Sequence, residues 1–316
     1  MIVCTTSDLS AEMRQKIAKE TQVPVVQRTI NELSKREKNA VEILITYGNF
    51  DDAVTVEELR QLPGLKWIHV LSSGTEQLPI TPIKDKNILV TSSKGIHAIP
   101  ISEYVIFAVL YFAKHIPHFI KLQEQKSWSY TAGMSEVYGK TLGVLGTGVI
   151  GLEIARKARA LGMSVIGVNR SGRHMAGFDE VHRVQRLKEI VPCCDYICSA
   201  LPSTDETRNL IDKNIIQLMK DQVIFMNVGR GDVIVEEHLL EALRTGKIGG
   251  AALDVFKSEP LEAQHPFWRM KNVLITPHAS ARTNMYMFRA LQMFLENFRY
   301  YQQNALQFMV NKVDFH

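Results

Sequence analysis

Four short segments of the 316-residue chain carry residues that could do chemistry together. The first is Gly146-Thr147-Gly148-Val149-Ile150-Gly151. This G-x-G-x-x-G run follows an apolar stretch at 142–145 and opens a helix-forming stretch at 152–161, with a second apolar stretch at 164–168. Strand, glycine turn, helix and strand are the context in which this spacing binds a dinucleotide. Gly146 permits the tight turn, Gly148 lets the backbone approach a pyrophosphate, and Gly151 lets helix and strand pack. The helix N-terminus then offers amide donors and a partial positive charge to the phosphates.

The end of the second strand selects the cofactor. NAD sites generally place a carboxylate there for the ribose hydroxyls. Here the position falls on Asn169, followed by Arg170, Ser171, Gly172 and Arg173. Two guanidinium groups and a hydroxyl suit a 2′-phosphate, and no carboxylate stands there to repel one. The reading favours NADP(H), with NAD(H) as the alternative cofactor. The other reading of the arginines is a solvated basic loop.

The remaining three segments are Asn227-Val228-Gly229-Arg230-Gly231-Asp232, Asp254-Val255-Phe256-Lys257-Ser258-Glu259-Pro260 and Thr276-Pro277-His278-Ala279-Ser280. Each follows an apolar strand, so all three are expected at the carboxyl edge of one sheet, beside the glycine loop. A guanidinium stays charged and offers a forked donor set for a carboxylate. An imidazole can give and retrieve a proton near neutral pH. A carboxylate beside the imidazole orients it and favours its charged form. Singly, such a histidine, Glu-Pro or arginine is more often structural. Together, in matching contexts, Arg230, Glu259 and His278 form a catalytic set.

In this order the segments resemble the D-isomer-specific 2-hydroxyacid dehydrogenase family, over nearly the whole chain and most strongly from 96 to 280. Leu71-Ser72-Ser73-Gly74 resembles that family's substrate-carboxylate loop. Leu201-Pro202-Ser203-Thr204-Asp205-Glu206-Thr207-Arg208-Asn209 resembles its segment over the adenine and ribose. Asn169-Arg170-Ser171 looks like the NADP-dependent glyoxylate/hydroxypyruvate reductase branch. The resemblance implies reversible reduction of a small 2-keto acid to a 2-hydroxy acid. Arg230 would clamp the carboxylate, His278 would exchange the proton, and Glu259 would orient His278. Backbone near Ser73 and Gly74 would complete the substrate site. The cofactor would meet Gly146, Thr147, Gly148, Val149, Ile150, Asn169, Arg170, Ser171, Leu201, Pro202, Thr207, Val228, Gly229, His278 and Ser280, with Asp254 facing its nicotinamide carboxamide. Specificity would lie in loops at 47–50, 72–76, Trp128 and 280–285. Glu259 argues against the formate dehydrogenases that share this architecture. Phosphite oxidation and a dinucleotide-sensing, corepressor-like role are the alternatives.

The elements that must position these residues are legible in outline. Apolar runs at 41–47, 67–71 and 87–91, then at 141–146, 164–168, 195–201, 223–228, 250–255 and 273–276, read as strands covered on both faces. Their alternation with helices predicts an α/β protein with parallel sheets, and with the family resemblance two Rossmann-like, doubly wound parallel-sheet domains with an active-site cleft between them are expected. The dinucleotide-binding domain is expected at 99–281, and a discontinuous substrate-binding domain at 1–98 and 282–316. One long helix is expected from Pro100 to about Gln125, and a C-terminal helix from 282 to about 303. The resemblance implies a homodimer with the long helix in its interface. Trp128, in Ser127-Trp128-Ser129-Tyr130, could reach a neighbouring subunit's substrate pocket or simply pack in the dimer.

Composition closes off other classes. With 46% apolar residues, 22% charged residues and a net charge of +4, the chain can fill a large core and has no polybasic arm for nucleic acid or a membrane surface. The N-terminus lacks the basic start and apolar run of a signal peptide, which points to the cytoplasm. The cysteines, Cys4, Cys193, Cys194 and Cys198, lack zinc-site spacing and read as reduced apolar thiols, with no metal expected. His97 reads as packing near the domain crossing, and Glu103 as compensating a helix dipole.

Overall fold

The computed structural model of the protein describes residues 1–48, 52–75, 77–129 and 133–315. Asn49 and Phe50 of the first expected specificity loop, Glu76 of the second and Tyr130 lie outside the described residues. The chain divides into two compact units, Met1–Ile96 with Thr283–His316, and His97–Arg282.

The first unit carries β1 (Ile2–Cys4), α1 (Ala11–Thr21), β2 (Val25–Gln27), α2 (Lys35–Ala40), β3 (Ile43–Thr46), α3 (Val56–Arg60), β4 (Trp67–Val70), α4 (Ile80–Asp85) and β5 (Leu89–Ser92). All pairings in its five-stranded sheet are parallel, in the order β2-β1-β3-β4-β5. That is the flavodoxin-like doubly wound order. One core holds Trp67 and Ile45 and the other Ile68 and Leu44, as a period of two along buried strands requires. Trp67 is fully buried and its ring lies 5.1 Å from Phe294.

The second unit carries α5 (Ala98–Ala113), α6 (Ile116–Glu124), β6 (Thr141–Leu145), α7 (Val149–Ala160), β7 (Ser164–Asn169), β8 (Glu180–Arg183), α8 (Leu187–Ile190), β9 (Tyr196–Ser199), α9 (Lys213–Leu218), β10 (Val223–Asn227), α10 (Glu236–Thr245), β11 (Ile248–Leu253) and β12 (Val273–Ile275). Its parallel sheet runs β12-β11-β10-β9-β6-β7-β8. In the sequence order of this unit that is the Rossmann order with one further strand beyond its sixth. The strand order reverses between β6 and β9, so the crevice for a ligand opens at their carboxyl ends. Val144, Cys198, Met226 and Ala252 face one core, and Leu145, Ile197, Phe225 and Leu253 the other. The C-terminal α11 (Tyr286–Gln302) belongs to the first unit.

The single helix expected from Pro100 to about Gln125 is two helices, α5 and α6, bent by 66°. Pro117 in the first turn of α6 cannot continue α5, because its ring would strike the carbonyl four residues back. His115 makes the break in the left-handed conformation, φ 51°. Among the described residues no single helix is long and apolar enough to cross a membrane. Strands β1, β2 and β8, not anticipated from the sequence, are short, and β8 (Glu-Val-His-Arg) is a polar edge strand without buried residues.

His69 on β4 is fully buried and hydrogen-bonded at both ring nitrogens. The indole N–H of Trp67 donates to Thr91 Oγ1 at 2.9 Å, and the same hydroxyl is hydrogen-bonded to His69 Nδ1 at 2.8 Å. The other ring nitrogen, Nε2, faces Ser93 Oγ at 3.2 Å. Burial pushes the imidazole down to about 3, against a weaker upward pull from the Ala290 carbonyl. Its neutral form is thus fully favourable above its unfolded value near 6.5, and that stability is lost as pH falls toward 3. Unfolding free energies from denaturant titrations between pH 7 and pH 4 should fall by up to about 1.4 kcal/mol per pH unit from this group alone. The fall should be shallower in His69→Gln; parallel curves for the two chains would refute the assignment.

Candidate active site

The glycine loop links β6 to α7. Gly146 has φ +102°, and a Cβ there would lie 2.9 Å from the Ala200 carbonyl oxygen. A Cβ at Gly151 would lie 1.9 Å from the Gly146 carbonyl oxygen, so the first helical turn can close on the loop only over a glycine. At Gly148 a Cβ would meet nothing within 4 Å, so the loop leaves its approach side clear. Gly148 is the N-cap of α7, with no side chain capping it and no acidic residue in the first turn. The first amides of α7, from Val149 and Ile150 onward, therefore face outward as donors. Clear backbone, amide donors and a positive helix end fit a pyrophosphate.

The loop after β7 is built around Asn169. Its Oδ1 accepts from the amides of Ser171 at 3.1 Å and Gly172 at 2.6 Å, and its Nδ2 donates to Thr147 Oγ1 at 2.9 Å. The side chain of Asn169 is thereby engaged in shaping the loop. Arg170 is almost wholly exposed and pairs with Glu206 at 3.3 Å. The Thr204 hydroxyl, with Arg170 contributing, holds the Glu206 carboxyl below the usual carboxylate range. Thr207 Oγ1 donates to the Pro202 carbonyl at 2.6 Å, closing the 202–207 turn beside the arginine loop. The sequence pointed to Leu201, Pro202 and Thr207 but not to Glu206, whose partner is 36 residues away.

Arg230 stands on a turn fixed by a residue the sequence reading gave no role. Asn227, fully buried at the end of β10, donates to the Arg230 carbonyl at 2.9 Å and accepts from the Gly229 amide at 3.2 Å. The turn is crowded by neighbouring backbone. A Cβ at Gly229 would lie 2.4 Å from the Leu201 carbonyl oxygen, and one at Gly231 would lie 1.9 Å from the Phe256 carbonyl carbon. Val228 donates to the Ser199 carbonyl at 2.9 Å, and Ser203 Oγ to Asp232 Oδ2 at 2.5 Å. These contacts join the Arg230 turn to the 199–203 segment.

His278 and Glu259 meet: Nδ1 lies 2.8 Å from Glu259 Oε2. The other carboxylate oxygen, Oε1, accepts from the Phe256 amide at 3.0 Å. His278 is in the left-handed region, φ 50°, a conformation that costs about 1–3 kcal/mol unless its surroundings enforce it. Asp254 supplies the enforcement. It is 1% exposed, and its carboxylate accepts from Thr276 Oγ1 at 2.6 Å, the Ala279 amide at 2.8 Å, the Ser280 amide and Ser280 Oγ at 2.6 Å. Its backbone carbonyl accepts from the His278 amide at 2.8 Å. The Tyr104 hydroxyl, 3.0 Å away, extends the chain by donating to Thr276 Oγ1. Asp254 therefore grips the loop that carries His278 with both oxygens.

Ser73 and Gly74 lie in the first unit, after β4. The loop is held by Ser72 Oγ, which donates to the Gly74 carbonyl at 2.8 Å, and by the Tyr286 hydroxyl on the Leu71 carbonyl at 2.9 Å. Among the other residues singled out, Glu103 lies 3.8 Å from Lys157, His97 is mostly buried with its imidazole pushed down by burial, and Trp128 is 94% exposed. Burial pushes the thiols of Cys4, Cys194 and Cys198 up to about 12, so they are protonated. Among the described residues no three His, Cys, Asp or Glu side chains are grouped to hold a metal.

A dinucleotide-binding Rossmann sheet with an imidazole–carboxylate pair at the same carboxyl edge defines a nicotinamide-dinucleotide oxidoreductase. Residues 106–280 match the D-isomer specific 2-hydroxyacid dehydrogenase, NAD binding domain. The chain is 33% identical over 276 residues to a glyoxylate reductase of Aeropyrum pernix, covering 84% of this chain and 80% of that one. A solved D-isomer specific 2-hydroxyacid dehydrogenase family protein from Aeromonas salmonicida aligns with a TM-score of 0.81 at 31% identity, over 100% of this chain and 99% of that one. A D-isomer specific 2-hydroxyacid dehydrogenase from Xanthobacter autotrophicus, solved with NADPH and MES, aligns with a TM-score of 0.77 at 25% identity, over 99% of this chain and 97% of that one. The chain belongs to the D-isomer-specific 2-hydroxyacid dehydrogenase family.

Removal of the Asp254 carboxylate should release the His278 loop. Asp254→Ala leaves its donors without an acceptor and should destabilise the protein by about 3 kcal/mol or more in chemical denaturation. Asp254→Asn should cost less, because the Ser280 hydroxyl can turn to accept from the new amide. An alanine variant as stable as the parent would show that the loop is held by something else.

Proposed function

We propose that the protein reduces a small 2-keto acid, glyoxylate or hydroxypyruvate, to the 2-hydroxy acid, with NADP(H) preferred over NAD(H). The observation that carries this reading is the 2.8 Å His278–Glu259 pair on a loop clamped by Asp254, at the sheet edge that also bears the glycine loop and Arg230. The glycine loop and the amides of α7 would hold the pyrophosphate. When bound, the nicotinamide supplies the hydride. Arg230 holds the substrate carboxylate and polarises the keto oxygen, since its guanidinium is always charged. His278, as imidazolium, gives that oxygen its proton, and Glu259 keeps the ring oriented with Nε2 turned outward. In the reverse direction the neutral imidazole takes the proton back. Ser73 and Gly74 are the proposed second hold on the carboxylate.

The cofactor preference is supported by Arg170, Ser171 and the absence of a carboxylate at Asn169. A relative crystallised with NADPH fits this reading. A homodimer is supported by exposed apolar side chains on and after α5, among them Phe107, Ile120 and Met134. The matched relatives named for glyoxylate reduction and 2-hydroxyacid oxidation favour turnover over phosphite oxidation or a sensing role.

Two measurements test the reading. NADPH oxidation should be rapid with glyoxylate and hydroxypyruvate and should drop by about 10³-fold or more in His278→Ala, the scale of general acid–base loss. Tight NADPH binding with no turnover on a broad keto-acid panel would overturn it. Arg170→Ala should raise KM about tenfold or more for NADPH and little for NADH, as loss of a charge-assisted phosphate contact does. Equal effects on both cofactors would remove the 2′-phosphate assignment.

A further inference from the structure

A second concave site lies at the opposite edge of the seven-stranded sheet. Its lining includes Lys140, Asp195 and Gln222, which immediately precede the amino ends of β6, β9 and β10. The glycine loop leaves the other end of β6, so the two edges are separated by roughly 15 Å of strand. The cavity measures about 570 Å³, within the range of small-molecule sites and far more than a bare inorganic ion needs.

The charge of its wall is uneven. Lys121, Lys140, Lys220 and Lys271 line it, against the carboxylates of Asp195 and Asp221. Both carboxylates are already engaged. Asp195 takes Lys220 at 2.9 Å and the Thr141 amide at 2.9 Å, and Asp221 takes Lys247 at 2.7 Å. Lys121, Lys140 and Lys271 have no ion pair or side-chain hydrogen bond among the described residues. The nine-residue α6 adds its N-terminus, which no side chain caps and whose first turn holds no acidic residue. The interior surface is of another kind. Phe112 packs its ring against Gly250, where a Cβ would lie 2.5 Å from it, and Ala113 and Ile224 continue the apolar floor.

We propose that this cavity binds a small phosphate monoester carrying a planar or apolar body, its phosphate held by Lys140 and Lys271 and its body lying on Phe112. Of the three lysines, Lys140 is offset in part by the nearby Asp195 carboxylate, which Lys220 already engages, and the floor supplies contact that a bare phosphate cannot use. The site is independent of the catalytic assignment, because it shares no residue with the carboxyl edge of the sheet.

The test is calorimetric titration of the full chain with phenyl phosphate. Saturable binding at one site should weaken about tenfold or more in the Lys140→Ala/Lys271→Ala double variant, whose lost side chains are exposed and unpaired and so leave the fold intact. Binding should persist in Arg170→Ala and Arg230→Ala, and inorganic phosphate should bind at least tenfold more weakly than the phenyl ester. The proposal is overturned by an absence of saturation, by full-strength binding in the double-lysine variant, by loss of binding in either arginine variant, or by equal affinity for inorganic phosphate.

Discussion

The site depends on a buried carboxylate that has no ion-pair partner among the described residues. Asp254 is 1% exposed, and what faces it is a set of amides and hydroxyls from the loop after β12. Burying an unpaired charge is expensive, and hydrogen bonds to the charged form are what make it tolerable. The donors come from Thr276, Ala279 and Ser280, which bracket His278 in sequence. The carboxylate can be satisfied only if the chain curls around it. That curl drives His278 into the left-handed region and turns its Nδ1 toward Glu259. The imidazole is placed by the requirement of a neighbouring charge, and a histidine on an unconstrained loop would not hold the same geometry.

Close backbone approach brings the other loops to the same edge. Parallel strands lie about 4.8 Å apart, so loops leaving adjacent strands must pass one another within van der Waals distance. At Gly146, Gly151, Gly229 and Gly231 the clearance to neighbouring backbone is below what any Cβ could occupy. Gly146, Gly229 and Gly231 each mark a crossing between two loops of the edge, and Gly151 lets the first turn of α7 close on its own glycine loop. Gly148 differs, with open space where its neighbours are crowded. That contrast separates the glycine that makes room for a ligand from those that make room for the protein.

The local signals were legible where the physics is local. The strand–glycine–helix run at 142–161, the Gly-Arg-Gly turn and the Glu259 and His278 segments could all be read because each pairs a buried strand with a distinctive residue after it. The doubly wound parallel sheets followed from the apolar runs. Less legible was what depends on contacts distant in sequence. Glu206 meets Arg170 across 36 positions, and Asp254 reaches Ser280 across 26. Asn227 looked like part of a strand end, although an amide there can both donate and accept to close the turn it precedes. The break between α5 and α6 was visible as Pro117, but the apolar pattern on both sides masked it. Strand β8 left no pattern because an exposed edge strand need not be apolar.

The Arg170–Glu206 pair bears on how such a site can discriminate between cofactors. Glu206 offers the loop a negative charge although Asn169 does not, so a 2′-phosphate must displace or share that carboxylate to reach Arg170. Both side chains are more than half exposed, and exposed pairs of this kind contribute about 0–1 kcal/mol. A phosphate would give the guanidinium two or three charge-assisted acceptors in place of one, and at this exposure the net gain is about 1–2 kcal/mol. If a 2′-phosphate binds there as proposed, the exchange favours it, and without one the pair re-forms. On the proposed NADP(H) reading, selectivity rests on two anions competing for one guanidinium, so the 202–207 turn that carries Glu206 takes part in it along with the loop that carries Arg170.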